Sequence, residues 1–89
     1  MMDNNTFLYF LQDFVMLLHE QAMESKQRWE ACLTANPTRE RNTDACSYER
    51  GRVIAYYEVL SLFVHQMIAF DIPADQLGIP NIDPDELLR

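Results

Sequence analysis

Basic residues are missing from the first part of the chain: nothing positively charged precedes Lys26, while Asp3 and Asp13 already interrupt the early apolar stretch. A secretory leader needs basic residues ahead of an apolar core, so this start is not read as one. Long hydrophobic runs are also lacking. Phe14 to Leu18 is the longest strictly apolar run of the first forty residues, and Ser61 to Phe70 is broken by His65 and Gln66. Neither approaches the roughly 20 apolar residues of a membrane span, and the expected location is the cytoplasm, with no membrane partner. There are only two glycines, Gly51 and Gly78, too few and too scattered for a phosphate-cradling loop, so no nucleotide or other cofactor is expected. The two cysteines, Cys32 and Cys46, match no zinc-ligand spacing.

The 89 residues allow one domain, 1–89, with 48% hydrophobic residues and a formal charge of −7 from 14 acidic and 7 basic side chains. That charge argues against a surface that neutralises nucleic-acid phosphates and points to a protein partner. A chain this short is marginally stable alone, which favours help from a partner or from self-association.

Apolar residues recur at Phe7, Leu11, Phe14, Leu18, Ala22, Trp29 and Cys32, the three-and-four spacing of one helical face. A first helix is predicted over about 5–33, capped by Asn4, Asn5 or Thr6 and closed by Asn36-Pro37; a polar connection follows over 34–43. A second stripe, Cys46, Val53, Tyr57, Leu60, Val64 and Met67, predicts a helix over about 44–70 starting at Thr43 or Asp44. Gly51 inside it is expected to mark close packing, with a kink as the alternative.

If the helices pair antiparallel, residues whose numbers sum to about 78 share a level, which joins Leu18 to Leu60 and brings Cys32 beside Cys46. The fold class is therefore all-α: an antiparallel two-helix hairpin that would become a four-helix bundle in a two-fold dimer. Cys32 and Cys46 are either buried free thiols, the state a reducing cytosol favours, or a disulfide that contributes ~3 kcal/mol. The tail 71–89 carries two proline-started turns, at Asp71 to Gly78 and at Asp83-Pro84, and is expected to fold back with Ile72, Leu77, Ile79, Ile82 and Leu87 over the open end of the hairpin.

Six of the seven basic residues lie between Lys26 and Arg52, around the turn, whereas Asp71, Asp75, Asp83, Asp85 and Glu86 gather at the other pole. These five carboxylates are the candidate partner-binding residues. Leu8, Phe10, Val15, Leu17 and Phe63 fall off the main stripes and are the candidate apolar surface for a homodimer. Tyr48, Tyr56, Tyr57 and Trp29 beside Arg28, Arg50 and Arg52 read either as a partner surface or as core with cation–π contacts.

Catalysis is not expected, and no catalytic residue is assigned. Neither histidine has the glutamate three residues earlier that a dinuclear carboxylate site requires, and no serine or cysteine has a histidine within reach. No metal site is assigned either. His19 is placed level with Glu58 or Val59 and His65 with Asp13, each as a boundary histidine with a carboxylate neighbour.

The stretch 48–88, with its Arg50-Gly51-Arg52 start, its Ala55-Tyr56-Tyr57-Glu58 segment and its closing Asp83-Pro84-Asp85-Glu86-Leu87-Leu88, resembles the C-terminal half of small proteins encoded in bacterial prophages and other mobile elements. Size, acidity and helical pattern are also similar in type to phage inhibitors of host defence, including some anti-CRISPR proteins. The resemblance implies a stoichiometric protein-binding module, an inhibitor of a host protein or nucleoprotein complex through an acidic and aromatic surface. The alternative is a structural or assembly subunit acting through homo-oligomerisation.

Overall fold

The computed structural model describes residues 4–36 and 46–89. Helix α1 (Asn4–Ala35) and helix α2 (Ser47–Ala69) form the expected antiparallel hairpin, followed by a single-turn helix α3 (Ala74–Leu77) and a 3-10 turn at Pro84–Leu88. No strand occurs among the described residues. α1 starts one residue earlier and runs two residues longer than expected, taking in Thr34 and Ala35. It ends at Asn36, whose amide and side-chain Nδ2 both donate to the Cys32 carbonyl at 3.1 and 2.8 Å. α2 is shorter than expected, with Cys46 at its N-cap. Pro37, Thr43, Asp44, Arg39, Arg41 and Asp3, on which parts of the capping and charge reading rested, lie outside the described residues.

The turn end of the hairpin is closed covalently. Cys32 and Cys46 form a disulfide across a Cα–Cα distance of 5.9 Å, which replaces the expected pair of free thiols. The antiparallel register supplies the reason, because it sets both cysteines at one level where the helices converge. The same register brings the Tyr56 hydroxyl to within 3.1 Å of Gln21 Oε1, to which it donates.

The core lies between the two helices and the returning tail: Ala22, Val53, Leu60 and Leu87 are buried together, with Leu18, Trp29, Tyr57 and Ile82 packed around them. The tail turns back twice through the same device. At the end of α2, Asp71 takes a left-handed φ of 56° while its amide and that of Ile72 reach the carbonyls of Ile68 and Met67. At the end of α3, Gly78 does likewise at φ 68°, with its own amide and that of Ile79 bonded to Asp75 and Ala74. Both are Schellman endings, in which a left-handed residue lets the chain satisfy the last helical carbonyls and leave at an angle.

The tail does not stop at the open end as expected. It runs back along the hairpin until Leu87, about 1% exposed, enters the core at the level of Ala22. Burial of this one leucine is worth about 2 kcal/mol to that path.

Gly51 also departs from expectation. It is exposed, with nothing within 4 Å of where a Cβ would stand, so it marks neither close packing nor a break in α2.

Candidate protein-interaction surface

Two opposite sides of α1 define what the molecule can present. At 100° per residue, Gln12, His19 and Lys26, seven apart, share one side, and Phe7, Phe10, Phe14 and Leu17 share the other. The polar side holds the tail. Gln12 Nε2 donates to the Leu77 carbonyl at 2.6 Å, His19 Nε2 lies 2.9 Å from Glu86 Oε1, and Lys26 Nζ donates to the Glu86 carbonyl at 2.6 Å. A carboxylate can only accept, so Nε2 carries the proton in the His19 pairing.

The apolar side is bare. Phe7, Phe10, Phe14 and Leu17 are 55, 55, 53 and 47% exposed, and the rings of Phe10 and Phe14 stack 6.2 Å apart at 20°. Val15, placed on this surface from the sequence, is instead fully buried, and Leu8 is half-buried. Phe7 and Phe14, read as core, are the residues that take the surface role. The hydrophobic side of α1 is thus rotated from the expected one, because the tail occupies a third side that the two-helix reading left open.

Phe63 is half-buried and lines an aliphatic cleft of about 220 Å³ between the end of α2 and the tail, with Val64, Met67, Ile72, Ile79 and Ile82. No ionisable side chain lines it. A second, more open groove lies between α1 and α2, lined by Leu18, Arg52, Ala55, Tyr56 and Val59.

Beyond that groove, Arg52 sits between two tyrosines, its guanidinium carbon 5.8 Å from the ring centroids of both Tyr48 and Tyr56. Its Nη1 and Nη2 donate to the two hydroxyls at 3.3 and 3.5 Å. The contact with Tyr48 raises the Arg52 pKa above its already high ordinary value, so the group stays cationic. Trp29, Tyr56 and Tyr57 pack on the core, which makes this cluster the cation–π variant of the two alternatives, with only Tyr48 projecting outward.

The five candidate carboxylates have different surroundings. Glu86 is taken up by His19, in place of the expected Glu58 or Val59 neighbour. Asp83 caps the 3-10 turn by accepting from the Asp85 amide at 3.1 Å and pairs with Arg89 at 3.0 Å. Asp71 is committed to the left-handed turn. Asp71, Asp75 and Asp85 are exposed, and Asp83 keeps about half of its side-chain surface. His65 is exposed as well, and Glu24, one turn from Glu20, is paired with Arg28 at 2.5 Å. Among the described residues, no group of three or more His, Cys, Asp or Glu side chains is placed to hold a metal ion, and no helix is long and apolar enough to cross a membrane.

The bare stripe had a signal in the sequence, namely four large apolar residues at heptad spacing, 7, 10, 14 and 17. It was obscured because Leu8, Leu11, Val15 and Leu18 make the same segment apolar on its other sides. No family model matches the chain, and no curated protein or solved structure is significantly similar to it. The role of each residue therefore has to be argued from this geometry.

Proposed function

We propose that the chain is a non-enzymatic protein-binding module whose binding surface is the bare side of α1. One observation carries the reading. Four large side chains at heptad spacing, three of them aromatic, stay about half exposed on a helix whose opposite side is fully engaged with the tail. Together they present roughly 400 Å² of apolar surface, within the size range of the functional patches that monomers carry. Aromatic side chains also dominate interface hot spots.

This reading keeps the protein-binding role expected from the sequence and moves its site. An inhibitor acting through the acidic tail would have Asp71, Asp75 and Asp85 as its exposed carboxylates, while Asp83 and Glu86 also pair with Arg89 and His19. The two sites are separated by affinity capture with two variants, Phe10→Glu/Phe14→Glu and Asp75→Lys/Asp85→Lys. Capture abolished by the first and kept by the second is the expected result. The reverse pattern moves binding to the acidic tail and ends the apolar-surface reading.

A further inference from the structure

Resting on that protein-binding reading, we infer that the occupant of the bare side is a second copy of this chain, docked α1 against α1 in antiparallel register about a two-fold axis midway between Phe10 and Phe14. Three observations converge on it.

The stripe is self-complementary. An antiparallel pairing centred between residues 10 and 14 sets Phe10 of each copy opposite Phe14 of the other, and Phe7 opposite Leu17. Each large side chain thus meets another, and the stacked Phe10–Phe14 pair meets its own copy. An isologous contact needs this property, since one surface must serve as its own partner.

Surface is available for such a contact. The chain exposes 6824 Å², against roughly 5,400 Å² expected for a folded monomer of 10.5 kDa. Its radius of gyration is 16.1 Å, where about 12 Å is expected for a single compact unit of this length. The surplus exceeds the ~800 Å² per partner that a standard interface removes. The two stripes supply about half of such an interface, and the groove between the helices at Leu18, Ala55 and Val59 is further apolar surface.

Charge selects the kind of partner. The chain carries −7, yet between Asn4 and Leu18 the only charged residue is Asp13. A basic partner, the natural counterpart of an acidic protein, would find almost no carboxylate there. An identical acidic copy would find almost no repulsion. The near absence of charge in this segment lets two strongly acidic molecules meet side by side there.

The test is sedimentation equilibrium of the full, unreduced chain at tens of micromolar, with far-UV circular dichroism as the check on folding. The expected mass is twice 10.5 kDa. Phe14→Glu and Phe10→Lys, both at exposed positions, each weaken self-association at least tenfold with helicity retained; Phe10→Gln/Phe14→Gln serves if a charged variant fails to fold. Mixing Phe10→Lys with Phe14→Glu then restores a dimer, because the antiparallel register sets the new lysine opposite the new glutamate.

A monomeric wild-type chain overturns the inference, as does a dimer untouched by these substitutions. Failure of the mixture to reassociate overturns the antiparallel register. A monomer that still captures another protein in a Phe10- and Phe14-dependent way removes the second copy and leaves the binding-module reading standing. A monomer that captures nothing through this surface removes both.

Discussion

The Glu86 carboxylate meets the His19 imidazole at 2.9 Å although 67 positions separate them in the chain, and the Lys26 ammonium meets the Glu86 carbonyl from one further pair of turns along α1. The tail is therefore fixed midway along the hairpin, where Leu87 fills the core between α1 and α2. Of these contacts the apolar one governs stability. The His19–Glu86 pair is about one-third exposed on both sides, and such pairs contribute about 0.2–1 kcal/mol.

Leu87→Ala is expected to cost about 2–5 kcal/mol, and Glu86→Ala less than about 1 kcal/mol. Urea unfolding followed by circular dichroism measures both. A larger loss for Glu86→Ala than for Leu87→Ala would show that the polar clasp, and not the leucine, anchors the tail.

Gly51→Ala is expected to raise stability by about 1 kcal/mol, since the position is helical, exposed and open to a Cβ. Gly78→Ala should lower it: the backbone there is left-handed, and a Cβ would stand 2.5 Å from Gln12 Nε2, the atom that holds the tail. Opposite shifts in the denaturation midpoint of the two glycine variants are the observable.

Asp71→Gly is expected to stabilise by about 0.5–1 kcal/mol, because it relieves a left-handed residue at the end of α2 without removing a helical hydrogen bond. Thermal unfolding at one protein concentration reads the change. A loss of stability would mean that the Asp71 carboxylate makes an interaction worth more than the backbone relief.

Reduction of the disulfide, or Cys32→Ser/Cys46→Ser, is expected to cost about 3 kcal/mol through the freedom returned to the unfolded chain. The comparison is the unfolding midpoint with and without a thiol reductant, together with that of the double serine variant, which should match the reduced protein and be indifferent to reductant.

The fold was largely legible in the sequence because the strongest signals were local. Two apolar periodicities gave two helices, Asn36-Pro37 and the proline turns gave the breaks, and the common level of Cys32 with Cys46 gave the register that the disulfide confirms. What could not be read was the direction in which α1 faces. Nine of the twelve residues from Phe7 to Leu18 are aliphatic or aromatic without a polar group, so periodicity alone leaves several sides equally apolar. The tail breaks this tie by burying Leu87, a long-range choice that leaves only a faint trace in the chain: Gln12, His19 and Lys26, seven apart along one side of α1. The local roles of the acidic residues were hidden for the same reason. The acidic pole was inferred from linear clustering, and the path of the tail places its members in a cap, a turn and an ion pair.

The seven-residue spacing of Gln12, His19 and Lys26 has a mechanical corollary. Their rungs on α1 are about 10 Å apart, the rise of two helical turns; Gln12 and Lys26 hold backbone carbonyls, which recur along the tail, whereas His19 holds the Glu86 carboxylate, which a displaced tail would move off it. Docking of residues 77–88 is therefore indexed by Glu86 at His19 and by Leu87, which has one place in the core, and the segment is expected to seat in one position or detach. A spin label on the tail should report two discrete populations, in contrast to the continuous spread of a sliding strap.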